Sequence, residues 1–386
     1  DEQGKVVRYK ARLTAKGYAQ VEGLDYTETY APTSRYSTVR IFLVLALQLG
    51  LTLMQMDIKT AFLYGVLEEE IYLTPPLGVD VPPGQVLRLR KSLYGLKQAP
   101  RVWNETIHKS LTALGGINSP FDECLYVFRE RDQLALLNLF VDDILLGFRG
   151  VMLRDKIVTA LKSTYDVSDM GVPKFCLGMG FDVSESCIKL SQSAAVEKFL
   201  RRFNMHESTP VLIPMETEFK SFPRDPRIEP LCTEPYRAAI GCLLYLTQCT
   251  RPDLSLSVGI LARFSNDPAQ RHWNAVKRVF KYLSGTKDMA LTLKRNESNG
   301  ITLLGYSDSS YGDDEATKKS TSGFLYLLYG NPITWSSKRQ QIVTLSTCEA
   351  EYVALCAACC EGVWIKNLLE SIGLKEAINY YKSLKK

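Results

Sequence analysis

The run Leu136-Leu-Asn-Leu-Phe140-Val-Asp142-Asp143-Ile-Leu-Leu-Gly-Phe148 sets two adjacent carboxylates between two apolar segments. Apolar runs of that length on either side of a polar break predict two strands joined by a tight turn. Burying both runs leaves Asp142 and Asp143 at the bend, where paired negative charge at the edge of a core has a cation as its natural partner. The same pair also fits an ordinary solvated turn, because local hydrogen bonds favour Asp there. The rest of the chain decides between the two.

With 386 residues, 46% hydrophobic and 23% charged, the chain predicts two or three domains of ordinary globular composition. Apolar runs such as Ile41 to Leu47 fall short of a membrane span, no secretory signal opens the chain, and no membrane partner is expected. The formal charge of +5 permits a nucleic-acid partner without requiring one. Of the ten Cys, only Cys356 and Cys359 have a zinc-like spacing. They fall within a helical apolar pattern in a chain with three His, which reads as core thiols rather than zinc ligands.

From the start, Val6 to Gln20 alternate loosely and carry Arg8, Lys10, Arg12 and Lys16, which predicts a short basic strand pair. Such a pair is either a charge-protected edge or a holder of a triphosphate. Ser37 or Thr38 is expected to cap a helix with Ile41, Val44, Leu45 and Leu49 at helical spacing, closed by Gly50. Leu51 to Phe62 reads as a strand that delivers Asp57. Alone, Asp57 also fits a helix cap. Together with Asp142 and Asp143 it forms an acidic set that neighbouring strands bring to one edge, which is what two divalent ions in phosphoryl transfer require. Between the acids, Lys91 to Arg101 feeds a helix starting at Pro100, with Trp103, Ile107 and Leu111 on one face and Gly115-Gly116 at its end. That Gly-containing loop fits either close approach to a phosphate or a packed junction.

The strings Tyr9-Lys-Ala-Arg-Leu-Thr-Ala-Lys-Gly, Gln55-Met-Asp-Ile-Lys-Thr-Ala-Phe-Leu, Lys91-Ser-Leu-Tyr-Gly-Leu-Lys-Gln-Ala-Pro-Arg and Phe140-Val-Asp-Asp-Ile resemble, in the same order, the reverse transcriptase of copia-type LTR retrotransposons. The resemblance implies an α+β right-hand polymerase with fingers, palm and thumb, followed by a helical connection and a truncated ribonuclease H-like α/β domain. It implies an RNA-directed DNA polymerase acting on an RNA or DNA template with primer and deoxynucleoside triphosphates, inside cytoplasmic particles. By resemblance, Asp57 and Asp142 bind two Mg²⁺ ions with Asp143 beside them, and Phe62 blocks a ribose 2′-hydroxyl. The loop with Tyr94, Gly95 and Gln98 falls where template and nucleotide are lined up; in the triphosphate reading of the basic segment, with a charge-protected edge as its alternative, Lys10 and Arg12 are the nucleotide-binding cations. The family usually has Tyr where this chain has Phe140, which keeps the ring but not its hydroxyl.

Leu153 to Tyr165 predicts an amphipathic helix, and Phe175 to Val183 with Ile188 to Ser191 short strands. Ala194 to Phe203 predicts a helix with Lys198, Arg201 and Arg202, a solvated face in general and a nucleic-acid-binding thumb helix by resemblance. Glu207 to Pro235, with six Pro, reads as a linker. Helices are expected over Tyr236–Leu246, Asp253–Phe264 and Pro268–Leu283. Ile301 to Asp308 reads as a strand, Gly323–Leu328 with Ile333–Ser336 as a hairpin around Gly330-Asn331, and Ser346 to Glu349 as a capping box opening a helix. On that helix Tyr352, Leu355, Cys359 and Val363 share one side.

The strings Tyr306-Ser-Asp-Ser-Ser, Lys319-Ser-Thr-Ser-Gly, Trp335-Ser-Ser-Lys and Glu349-Ala-Glu-Tyr look like the family's ribonuclease H domain, whose first two metal-binding acids match Asp308 and Glu351. A later strand should carry a further acid, and residues 375 to 386 hold only Glu376 and no matching segment. Nuclease activity is therefore not expected. The chain starts at Asp1 with few residues before the first motif, so it reads as a piece of a longer polyprotein. The expected domains are fingers and palm over 1–190, thumb, linker and connection over 191–298, and a ribonuclease H-like domain over 299–386. The alternative is a catalytically inactive retrotransposon remnant that at most binds nucleic acid.

Overall fold

Helix α1 (Tyr36–Gln48) is buried continuously from Ser37 to Leu47. A helix apolar on every side belongs inside a core. It starts after Arg35 with no side-chain cap, so Ser37 and Thr38 lie inside the helix and not at its cap as expected; Gly50, at φ +62°, does close it. The computed structural model describes residues 9, 11–216, 219, 222–296, 301–374 and 378–382. It forms two compact units, Asp1–Ser34 with Thr52–Gly171, and Arg35–Leu51 with Val172–Lys386.

The first unit is built on a six-stranded sheet. After strand β1 (Thr52–Ile58) and a 3-10 turn (Ala61–Tyr64) come a separate hairpin of β2 (Val66–Leu73) and β3 (Leu87–Lys91), then helix α2 (Ala99–Ala113). Next follow β4 (Ile117–Ser119), β5 (Asp122–Glu130), β6 (Gln133–Phe140), β7 (Asp143–Arg149), helix α3 (Val151–Thr164) and β8 (Val167–Gly171). The large sheet runs β4-β5-β6-β7-β1-β8. Its core packs Met54, Met56, Ile58, Leu137, Leu139, Ile144 and Leu146 against Trp103 and Ile107 of α2 and Ile157 and Leu161 of α3. With the two-residue period of a strand, Gln55 and Asp57 on β1, and Asp143 on β7, take the opposite face. No strand forms among the described residues from 9 to 20, where a basic strand pair was expected; Gly17–Ala19 is a 3-10 turn.

The second unit holds α1, a four-stranded sheet, a helical cluster and a further sheet. Strands β9 (Phe175–Cys176), β10 (Met179–Val183) and β11 (Cys187–Ser191) precede helix α4 (Ser193–Arg202). Helices α5 (Tyr236–Cys249), α6 (Ser255–Ala262) and α7 (Gln270–Gly285) lead to β12 (Ala290–Lys294), which completes the sheet β12-β11-β10-β9. The helices share a core of Val196, Leu200, Leu243, Leu246, Val276 and Phe280. The Pro-rich segment is no loose tether. Arg224 pairs with Asp267, Arg271 with Glu229 and Arg278 with Glu216, and His272 meets the Phe222 carbonyl at 2.9 Å.

The last sheet comprises β13 (Ile301–Ser310), β14 (Thr321–Leu328), β15 (Asn331–Arg339) and, after helix α8 (Thr347–Ser371), β16 (Ile378–Lys382). Its order is β15-β14-β13-β16, with β16 parallel to β13. A strand thus follows α8, where the sequence reading found no segment matching the family's acid-bearing strand; β16 carries no Asp or Glu. The β14–β15 turn is Tyr329-Gly330, both at positive φ, one residue before the expected Gly330-Asn331. Helix α8 turns Ala350, Ala354, Ala358, Ile365 and Leu368 inward, while Tyr352, Val363, Cys356 and Cys359 are exposed. The expected core thiols therefore face outward, because three Ala on the other side let the helix lie close to its sheet. Tyr326 seals that contact by donating its hydroxyl to the Ala358 carbonyl at 2.6 Å. By length and composition α8 is also long and apolar enough to cross a membrane, which no single apolar run had indicated.

Asp314 ties α6 to this sheet. It is 2% exposed and accepts from Arg263 at 2.9 Å and Arg339 at 2.7 Å. Burial pushes its carboxyl up, but hydrogen bonds from Arg339 and Thr317 outweigh this and bring it down to about 2. Asp314→Asn should cost about 3 kcal/mol, since it removes the carboxylate shared by Arg263 and Arg339 and leaves Asp313 as the remaining acid near Arg263. In chemical denaturation of the parent this stabilisation is complete above the ordinary Asp value of about 3.9, is lost as pH falls toward 2, and is missing at every pH in the variant.

Candidate active site

Strands β1 and β7 pair antiparallel with Asp57 directly opposite Asp143. Side chains opposite each other on neighbouring strands share a face, with Cβ atoms about 5 Å apart. Asp142 occupies the β6–β7 turn, so the two hairpin acids differ in setting: Asp143 opens a strand and Asp142 caps the bend. All three are half-buried. Burial raises the Asp143 carboxyl above its ordinary value; the Gln55 amide, 3.3 Å away, lowers it, and the charges of Asp142 and Asp57 raise it again. The acids therefore stand close enough to repel one another, and a divalent cation relieves that repulsion.

The turn itself is held by two hydrogen bonds from outside it. Val141 has φ +58° and Asp142 is not among the residues of positive φ, the pattern of a II′ turn, whose first central position normally takes Gly. A β-branched residue there is strained by about 1–3 kcal/mol. Trp103 of α2 donates its indole N–H to the Val141 carbonyl at 2.7 Å. The Ile58 amide donates to the Asp142 carbonyl at 2.9 Å, which docks the bend on the end of β1. Behind Trp103, Tyr165 and Tyr64 pack edge-on to one another, with centroids 5.5 Å apart for Trp103–Tyr165 and 5.0 Å for Tyr64–Tyr165.

The loop before α2 faces the acids. Burial raises the Tyr94 hydroxyl, Arg12 lowers it, and Asp142 and Asp57 raise it further, so these charges share one neighbourhood. Phe62 meets Tyr94 edge-on at 4.9 Å, and the Arg12 guanidinium lies 5.2 Å from the Tyr94 ring centre. Gly95 has φ +94°, and a Cβ there would strike the Ala15 carbonyl oxygen; the Ala15 amide donates to the Tyr94 carbonyl at 2.7 Å. Only glycine allows the two segments to meet so closely.

Of the residues singled out in the sequence, the structure brings Asp57, Asp142, Asp143, Phe62, Tyr94, Gly95 and Arg12 together. Gln98 is fully buried, accepting from Gln20 at 3.0 Å and donating to the Asp25 carbonyl at 2.9 Å. Lys10 lies outside the described residues. Lys198, Arg201 and Arg202 are exposed on α4 of the second unit; Arg201 pairs with Glu197. Sequence reading missed Gln55 and Trp103. The first stands two residues before Asp57 and so shares its face, a signal open to inspection; the second reads only as core.

Among the described residues no group of three or more His, Cys, Asp or Glu is gathered closely enough to cage a metal. Magnesium, however, commonly takes one or two carboxylates and completes its shell with water and substrate phosphates. Asp57 and Asp142, whose charges raise the Asp143 carboxyl, fit that donor set.

In the second unit Asp308 on β13 and Glu351, just past the first turn of α8, are both exposed; the acid in that turn is Glu349. The Ser309 amide donates to a Glu351 carboxylate oxygen at 3.3 Å, which sets that acid beside β13. Ser346 caps α8 by accepting from the Glu349 amide at 3.1 Å. In sequence, β16 has no Asp or Glu.

A family model described as reverse transcriptase (RNA-dependent DNA polymerase) matches residues 1–217. The chain belongs to the reverse transcriptase family. Over 394 aligned positions the chain is 37% identical to the retrovirus-related Pol polyprotein from transposon TNT 1-94 of Nicotiana tabacum, covering 98% of the chain and 29% of that polyprotein. It is 38% identical over 374 positions to the Pol polyprotein from transposon RE2 of Arabidopsis thaliana, covering 96% of the chain and 25% of the relative. The copia-type kinship expected from the ordered motifs is thereby shown. The chain spans 25–29% of the length of these two relatives. In fold it is similar to a foamy viral protease-reverse transcriptase solved in complex with double-stranded DNA, with a TM-score of 0.51 at 13% identity over 90% of this chain and 52% of that one. The mixed α/β architecture fits a reverse transcriptase.

Proposed function

We propose that this chain is an RNA-directed DNA polymerase module that extends a primer 3′-hydroxyl with deoxynucleoside triphosphates on an RNA or DNA template. The observation that carries the reading is the pairing of Asp57 with Asp143 across β1 and β7, beside the turn that presents Asp142. Asp57 and Asp142 would hold two Mg²⁺ ions. Bound there, the ions supply Lewis acidity and charge neutralisation to the α-phosphate, the attacking oxygen and the leaving pyrophosphate. Asp143, its carboxyl raised by burial and by the other acids, stays beside the ligands and tunes their field. Arg12, over the Tyr94 ring, offers a cation to the triphosphate. Phe62, edge-on to Tyr94, presents an apolar wall where a ribose 2′-hydroxyl would otherwise sit.

In this reading fingers and palm fall within 1–190, thumb and connection within 191–298, and a ribonuclease H-like domain within 299–386. Lys198, Arg201 and Arg202 lie along a duplex backbone, and Asp308 with Glu351 is a candidate nuclease pair. Primer extension by the full chain on RNA and DNA templates, with Mg²⁺ and with a chelator, tests the proposal. The expected result is metal-dependent incorporation on both templates. Nucleic-acid binding without any incorporation would replace the proposal with an inactive remnant.

A further inference from the structure

Far along the chain from the acids, a pocket of 720 Å³ opens between helix α7 and the segment that follows α4. Its apolar surface comes from Met205, Val211, Met215 and Phe219, and its charged rim from one side of α7. Two of the rim cations are already satisfied: Arg271 pairs with Glu229 and donates to the Phe222 and Pro223 carbonyls, and Arg278 pairs with Glu216. Lys277 and Lys281 differ. They stand one helical turn apart, both half-buried, and neither has an ion-pair or side-chain hydrogen-bond partner among the described residues. Their stems lie on apolar surface with two positive charges left for an anion.

We propose that this pocket binds a short stretch of single-stranded nucleic acid, with bases on the Phe219 and methionine floor and phosphates on Lys277 and Lys281. A flat aromatic and thioether floor beside cations that follow a backbone is the general chemistry of sequence-tolerant single-strand binding. A run of Asp and Glu would use the lysines but brings no flat or apolar group to the floor. The volume lies within the range of sites that enclose a ligand of nucleotide size. The inference concerns a binding site of its own and holds whether or not the acids of β1 and β7 catalyse.

Fluorescence anisotropy with a 5′-labelled oligothymidylate, over a series of salt concentrations, tests it on the full chain carrying Asp142→Asn, so that polymerisation plays no part. The double variant Lys277→Gln with Lys281→Gln should weaken binding at least about tenfold at low salt and flatten the slope of log K against log salt by about 1.4, the release of two counterions. Phe219→Leu should weaken binding about tenfold while leaving the slope unchanged. Circular dichroism establishes that each variant is folded. Affinity and slope equal to the parent's in the lysine variant overturn the proposal, as does the same loss in Lys366→Gln on α8, which would mark a general charge effect. Displacement of the oligonucleotide by polyglutamate but not by unlabelled oligothymidylate would assign the pocket to acidic peptides and overturn it as well.

Discussion

Asp142→Asn and Asp57→Asn should each lower the rate of Mg²⁺-dependent primer extension by about 10³-fold or more, with circular dichroism and melting unchanged or slightly improved. Asn keeps the size and the hydrogen-bonding oxygen but removes the charge that draws the ion. The two losses should not add: the double variant is expected to be no worse than the poorer single one, because the acids act as a unit. Extension by Asp142→Asn at the parental rate would remove the hairpin from the chemistry. A second readout comes from Asp143. Burial, with Asp142 and Asp57 adding to it, raises its carboxyl in the folded protein. The unfolded chain then loses this proton at a lower pH than the folded one, so metal-free stability falls as pH rises from the ordinary Asp value through the raised one. In a chelator at neutral pH, Asp143→Asn should melt higher than the parent, and added Mg²⁺ should narrow that gap by relieving the repulsion in the parent. An equal or lower melting temperature for the variant would show that the three charges do not oppose one another.

Trp103→Phe should cut kcat about 10²-fold while leaving KM for the incoming nucleotide within about twofold of the parent. The replacement keeps a ring against Tyr64 and Tyr165 but deletes the N–H that reaches the Val141 carbonyl at 2.7 Å. Val141 sits at φ +58°, where a β-branched residue is strained, and the turn keeps that shape only while its neighbours impose it. Without the indole donor the bend can relax toward an ordinary backbone and carry Asp142 away from Asp57. Higher Mg²⁺ should partly restore the rate, since a displaced carboxylate lowers affinity for the ion before it abolishes it. Val141→Gly in the Trp103→Phe background should also recover part of kcat, because glycine adopts positive φ without strain. A kcat equal to the parent's in Trp103→Phe would reduce the indole to packing.

The hairpin was legible because its signal is local. Two apolar runs around Val-Asp-Asp specify strands and a turn whatever the rest of the chain does, and β6 and β7 form as the runs demand. Gly50, Gly115 and the Ser346 cap were readable for the same reason, since positive φ and an orphan amide are demands of single residues. Direction was less legible. The stripe on α8 with Tyr352 and Val363 has helical spacing, yet it faces outward, because periodicity identifies a face without saying which face meets the sheet. The proline-rich stretch read as a linker, but Arg224, Arg271 and Arg278 bind it to α7 and its neighbourhood through partners 42 to 62 residues apart in sequence.

By itself the sequence determined the family, through ordered motifs, and singled out the acids proposed as metal ligands, because such a site needs particular residue types at particular strand ends. Only the tertiary structure decided that Asp57 stands opposite Asp143, that Gln98 is spent on Gln20 and Asp25, and that an indole 38 residues from Val141 holds the bend that presents Asp142. The reason is physical: strand and turn propensities are set by near neighbours, whereas register, burial and the direction of a side chain come from packing between segments that no local pattern encodes.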